Sequence, residues 1–106
     1  MSLFAERVYA LCKEIPKGRV STYGAIAKAL NSSPRAVGQA LRCNPYAPIV
    51  PCHRVVSADG SIGGFMGNTE GEAVQKKISL LENEGVKINK NKVSKEQIIS
   101  FSSSVS

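Results

Sequence analysis

The stretch Arg19–Pro45, RVSTYGAIAKALNSSPRAVGQALRCNP, decides how the rest of the chain is read. Ser21 or Thr22 offers a side-chain oxygen to cap a short helix carrying Ile26, Ala27 and Leu30. Asn31 and Ser32 interrupt that helix. The pair Ser33-Pro34 then sets a capping hydroxyl directly before a proline at the first helical position, where a missing N–H breaks no helical hydrogen bond. A second helix follows to roughly Cys43. Two short helices joined by a few polar residues form a helix-turn-helix pattern, whose second helix is the usual reader of DNA.

Charge placement points the same way. From Ile15 to Ala58 there is no Asp or Glu, while Lys17, Arg19, Lys28, Arg35, Arg42 and Arg54 fall inside that span, so it holds the whole net charge of +6. One-sided placement of this kind suits a polyanion, with nucleic acid the commonest candidate; a solvated basic face is the other reading. The small residues Ala36, Gly38 and Ala40 also admit two readings. They let a helix backbone approach a groove wall, or they let it pack closely on another helix.

Upstream, Phe4, Val8, Leu11, Cys12 and Ile15 make the stripe of an amphipathic helix, ended by Pro16-Lys17-Gly18. Downstream, Pro45, Pro48 and Pro51 stiffen the approach to Cys52. The segment RVVSADGSIGG, from Arg54, reads as a strand, a turn at Asp59-Gly60 and a second strand, a small β-hairpin. Thr69 and Glu72 form a capping box for a last helix in which Val74, Ile78 and Leu81 face the core, with Gly85 as its stop. From residue 89 to 106 the chain turns to Lys, Asn and Ser and is expected to be a flexible tail, with Ile98, Ile99 and Phe101 as the residues able to dock.

At 106 residues with 42% hydrophobic and 21% charged side chains, the chain suits one globular domain. No apolar run approaches the roughly 18 residues of a membrane span, and the N-terminus lacks the apolar centre of a secretory signal, so a soluble intracellular protein is expected. Cys12, Cys43 and Cys52 stand at unrelated spacings with a single histidine. Neither a zinc site nor a disulfide framework follows, and no metal or cofactor is expected. Cys12, on the apolar stripe, reads as a small buried hydrophobe.

Cys52 is different because His53 and Arg54 follow it directly. A thiol with the reference pKa of about 8.5 is only a few per cent thiolate at neutral pH, so a nucleophile needs a base and a positive environment. His53 offers the base and Arg54 a positive charge. In an extended strand, neighbouring side chains point to opposite faces, so the pair can cooperate only through a turn or a bridging water; Pro51 makes a turn plausible. The acid to orient the imidazole must come from elsewhere, and Glu82 and Glu84 before Gly85 are the candidates.

The segment IVPCHRVVSADGSIGGF resembles the active-site signature of the O6-alkylguanine-DNA alkyltransferases, also called methylated-DNA–protein-cysteine methyltransferases. PKGRVSTYGAIAKAL and SPRAVGQALRCNP resemble that family's helix-turn-helix and arginine-bearing helix, and the likeness runs from about Phe4 to Ile88. The resemblance implies a mainly α, winged helix-turn-helix-like catalytic and DNA-binding domain over residues 1–88. It implies stoichiometric DNA repair after base flipping: the thiolate takes the alkyl group from guanine O6 and is consumed. Cys52 would be the acceptor, His53 its water-linked base, Glu84 the carboxylate that orients His53, and Asn44 a bond within the active-site turn. Tyr23 would lie by the extruded phosphate and donate a proton toward the leaving guanine. Arg35 would fill the gap in the duplex, with Lys28, Ala36, Gly38 and Arg42 along the DNA, in the minor groove. Val50, Gly64, Phe65 and Met66 would form the base pocket; Phe65 stands where the family often has tyrosine. The partner would be double-stranded DNA carrying the lesion, met by a monomer in the cytoplasm and nucleoid of a prokaryote or the nucleus of a eukaryote. Most members carry a further N-terminal domain, and this sequence starts close to the catalytic one. Two alternatives stand beside transfer: an alkyltransferase-like protein that binds lesions without removing them, in which the acceptor cysteine is typically replaced, and a winged-helix regulator.

Overall fold

Helix α1, Leu3–Lys13, forms on the predicted stripe, with Val8 and Cys12 fully buried. Its end tightens, Glu14 N–H bonding to Leu11 O at 3.0 Å and Ile15 N–H to Cys12 O at 3.1 Å, which tucks Ile15 into the core before Pro16. The computed structural model describes residues 3–42, 49–62 and 72–101.

Of the two candidate caps, Thr22 is the one used: its hydroxyl accepts from Ala25 N–H at 3.0 Å and opens α2, Tyr23–Leu30. Asn31 ends it in the left-handed conformation (φ 56°, ψ 50°), and Ser32 N–H closes on Ala27 O at 2.8 Å. Ser33 Oγ then accepts from Ala36 N–H at 3.2 Å to start α3, Pro34–Arg42. Ile26, Ala27, Val37 and Leu41 pack with the α1 stripe, and Tyr9 Oη donates to Ala40 O at 2.8 Å, tying α1 to α3.

Ser21 is not a cap. It lies in β1, Ser21–Thr22, which pairs in parallel with β2, Val55–Val56, in the register Ser21 to Val55 and Thr22 to Val56. Alternation along β2 sends Val55 into the core of α1, α2 and α3, and Val56 into a second cluster with Val20, Ile62, Leu81, Val86 and Val93. The expected hairpin over residues 55–62 therefore does not form as such. The Asp59-Gly60 turn is present, with Gly60 N–H bonded to Ser57 O at 2.8 Å, but Ser61 bridges to Lys92 and Ile62 N–H goes to Asn91 O at 2.9 Å. Gly60 is required there: at φ +89° an added Cβ would lie 2.5 Å from Val93 O. The hairpin of the fold is instead β3, Ile88–Asn89, with β4, Lys92–Val93, turned by Lys90 and Asn91, both at positive φ (52° and 61°) as a two-residue loop demands.

Helix α4, Glu72–Asn83, buries Leu81 and stops at Gly85, at φ +93°. Val86 N–H reaches Leu81 O and Gly85 N–H reaches Glu82 O, both at 3.0 Å, a Schellman stop completed by packing of Val86 with Leu81. The proposed capping box involving Thr69 and Glu72 lies outside the described residues.

Through residue 101, the expectation of a flexible tail is corrected. Ile99 N–H donates to Val20 O at 2.8 Å and Val20 N–H to Gln97 O at 3.0 Å, so this segment adds itself beside the approach to β1. Ser21 Oγ bonds Ile99 O at 2.8 Å, and the Gln97 side chain pairs with both backbone groups of Lys87 at 2.7 and 2.9 Å. Val93 and Ile98 pack with the second cluster, Ile99 and Phe101 with the first. Apolar residues spaced among lysines and serines were enough to dock the segment, and composition concealed them. No helix among the described residues is long and apolar enough to cross a membrane.

Candidate active site

Pro51 makes the turn that the pair Cys52 and His53 requires. Its φ of −82° and ψ of 69° define an inverse γ-turn, closed by Cys52 N–H on Val50 O at 2.8 Å. A 3₁₀ turn over Cys52–Arg54 follows, with Arg54 N–H on Pro51 O at 2.9 Å and Val55 N–H on Cys52 O. The chain reaches β2 only after this double bend, so Cys52 and His53 escape the alternation of a strand. Cys52 is 6% exposed and His53 3% exposed.

The Schellman stop fixes the other half of the site, because it leaves Glu84 as the last residue before the reversal, half-buried against the 3₁₀ turn. Glu84 Oε2 lies 3.1 Å from His53 Nε2. A carboxylate only accepts, so Nε2 carries the proton and Nδ1 is the basic nitrogen of the neutral ring. Glu82, the other candidate, is exposed. Burial lowers the His53 pKa; Glu84 opposes this through its hydrogen bond and charge, and Arg54 and Lys77 reinforce the lowering. Burial works to raise Glu84, but hydrogen bonds from Arg54 and His53 outweigh it and hold the carboxyl below its ordinary value.

Arg54 does more than lend charge. Nε donates to Glu84 Oε1 at 2.9 Å, Nη2 to Oε2 at 2.7 Å and Nη1 to Ile15 O at 2.8 Å, joining the ends of α1 and α4 through the residue two places after the cysteine. Its charge is thus neutralised by Glu84 rather than directed at the thiol, which corrects the simpler expectation. Lys77 is the side chain that sequence reasoning passed over: it is 0% exposed and donates to Val55 O at 2.8 Å and Ile62 O at 2.6 Å. The signal was available, since Val74, Lys77, Ile78 and Leu81 share one helical face.

The other expected residues divide by position. Tyr23, at the start of α2, is partly buried against the cluster that contains Cys52; burial, then Cys52 and Cys12, raise its pKa and keep it a hydroxyl. Cys12 is buried, its thiol pushed up to about 12, in keeping with a structural role. Lys28, Arg35 and Arg42 are exposed, and Ala36 and Gly38 lie partly exposed on α3. A Cβ added to Gly38 would meet nothing within 4 Å, so helix packing does not demand a glycine there. Val50 is buried beside an Ile49 that is 75% exposed. Asn44, Gly64, Phe65 and Met66 lie outside the described residues. Among the described residues, no three His, Cys, Asp or Glu side chains group as metal ligands.

A helix-turn-helix with an exposed basic second helix, joined to a Cys-His turn that a carboxylate buttresses, defines a class of protein in which DNA binding and thiol chemistry share one domain. Over residues 3–86 the chain matches the family described as 6-O-methylguanine DNA methyltransferase, DNA binding domain, and it belongs to that family. It is 52% identical over 85 residues to the methylated-DNA--protein-cysteine methyltransferase of Thermococcus kodakarensis, a match covering 79% of this chain and 45% of that protein. It is 51% identical over 61 residues to the DNA base-flipping protein of Thermus thermophilus, 58% of this chain and 42% of that one. Among solved structures, it resembles S. pombe Atl1 in complex with damaged DNA containing O6-carboxymethylguanine, with a TM-score of 0.82 and 33% identity over 94% of this chain and 97% of that one. The chain spans about half the length of the curated methyltransferases it matches.

Proposed function

We propose that this domain repairs DNA by moving the alkyl group of O6-alkylguanine onto Cys52, once per molecule. The observation that carries the reading is the joined set Cys52, His53, Glu84 and Arg54, a thiol in a rigid bend beside an imidazole whose Nε2 is held 3.1 Å from a carboxylate. The thiol proton passes toward His53 by way of water, and the Cys52 sulfur forms a bond to the alkyl carbon as the bond from carbon to O6 breaks. The electron pair stays on guanine, which takes a proton from the Tyr23 hydroxyl; solvent returns that proton to Tyr23. The product thioether is not a leaving group at neutral pH, so the protein is spent.

An O6 alkyl carbon inside the stack is out of reach of an in-line nucleophile, so the base must leave the duplex, at a cost of a few kcal/mol. Arg35, exposed at the start of α3, is suited to occupy the space left. The unfilled space at Gly38 favours the groove reading of the small residues, and a narrow minor groove suits a helix with so little bulk. Lys28 and Arg42 serve as phosphate contacts, Val50 with Gly64, Phe65 and Met66 as the base pocket, and Asn44 as a tether of the active-site turn. The protein acts as a monomer, wherever its DNA is kept.

Lesion binding without transfer is the second reading, favoured by the near-complete overlap with Atl1. The retained Cys52 with its supporting His53 and Glu84 argues for transfer. Titrating a restriction site blocked by O6-methylguanine distinguishes the two. Transfer restores cleavage in proportion to protein added, one site per molecule; pure binding leaves the site blocked after the protein is digested away.

A further inference from the structure

Lys77 stands on the core face of α4, where an apolar side chain would pack at no electrostatic cost. Placing an ammonium there is unfavourable unless it is bonded and its charge is used. The bonds are to Val55 O at 2.8 Å and Ile62 O at 2.6 Å. Val55 passes its own N–H to Cys52 O, so one peptide unit separates the ammonium from the carbonyl of the cysteine. Lys77 therefore braces the turn from behind, on the side opposite to the clamp made by Arg54.

The charges around Cys52 single out this residue. From α1 comes Cys12, held neutral by burial, and from α2 comes Tyr23, likewise neutral. From the 3₁₀ turn come His53, neutral by burial, and Arg54, which is matched by Glu84 at the end of α4. Lys77 adds a positive charge that the neutral carbonyls of Val55 and Ile62 solvate without cancelling. Burial pulls its pKa down to about 8 and Cys52 acts against that fall, so the ammonium form still prevails at pH 7.

We propose that Lys77 is a positioning residue of the site, whose buried ammonium compensates the Cys52 thiolate and whose bonds to Val55 and Ile62 fix the turn that carries it. This rests on Cys52 being the nucleophile. The test is alkylation of Cys52 by iodoacetamide and by iodoacetate without DNA, followed by peptide mass mapping, in the unaltered protein and in Lys77→Gln, Lys77→Met and Lys77→Arg. Gln keeps a donor without the charge, and Arg keeps the charge. At pH 7 the Gln and Met variants react about tenfold more slowly, with the greater loss toward anionic iodoacetate, and they converge on the unaltered protein by pH 10. Arg recovers most of the rate. Unchanged reactivity at pH 7 in either neutral variant overturns the proposal, as does a loss that Gln repairs or that is equal at both pH values and for both reagents. If only one neutral variant folds, that variant decides. Failure of the unaltered protein to take a methyl group from DNA would overturn the functional reading and leave this chemical measurement standing.

Discussion

Arg54 grips Glu84 through two parallel bonds, Nε to Oε1 at 2.9 Å and Nη2 to Oε2 at 2.7 Å, and so sets the plane of the carboxylate that meets His53. A fork of this kind fixes orientation as well as charge. Lysine has the charge without the fork. Arg54→Lys is therefore expected to slow transfer about tenfold, and to cost about 1–3 kcal/mol of stability as one bonded pair of charges is loosened. Single-turnover rates and urea unfolding check this; an unaltered rate would show that the carboxylate needs no such hold.

Acid should weaken the fold and the chemistry together. His53 and Glu84 both have pKa values below their ordinary ones, so each contributes stability that is present at neutral pH and lost as protons bind. The His53 contribution begins to fall below about pH 6.5, where the unfolded chain gains a proton that the buried ring resists. That of Glu84 falls below about pH 4.5, when the partner of Arg54 is discharged. The melting temperature should drop across that window, and Glu84→Gln should flatten the lower part. A melting temperature constant between pH 7 and pH 4 would contradict both assignments.

Gly60→Ala is expected to cost about 1–3 kcal/mol, because the new methyl meets Val93 O in a backbone conformation that alanine disfavours. Chemical denaturation measures it, and the transfer rate per folded molecule should stay near that of the unaltered protein.

How much of this was legible in the sequence varied with the range of the forces involved. Local chemistry was readable: the Ser33 cap, Pro34 at the helix start and the stop at Gly85 each depend on residues a few positions apart. Cys52, His53 and Glu84 were also identified, the last because an acid had to lie near the helix end. Pairing at long range was not legible. Asp59-Gly60 has the strongest hairpin signal, yet β2 lies beside β1, residues 21–22, and the hairpin turns on Lys90 and Asn91. Composition pointed the wrong way for Ile98 and Ile99, since two docked isoleucines outweigh the surrounding lysines and serines. Lys77 was missed because a lysine on a helix is by default assigned to solvent.

Arg35 and Lys28 should separate base flipping from plain binding. At saturating DNA, Arg35→Ala is expected to slow transfer from duplex about tenfold or more, the scale of one lost stacking contact, and much less from a single strand, where no stack must be opened. Lys28→Ala should weaken binding to all DNA and make its salt dependence shallower. An equal Arg35→Ala defect on both substrates would show that this side chain does not hold the duplex open.

The central claim is that Cys52 is the acceptor and accepts once. Intact-protein mass after mixing with one equivalent of duplex containing O6-methylguanine, followed by peptide mapping, tests it most directly. A single added methyl on Cys52, with no second transfer when fresh DNA is supplied, is the predicted result; an unchanged mass, a methyl on Cys12 or Cys43, or repeated turnover would contradict it.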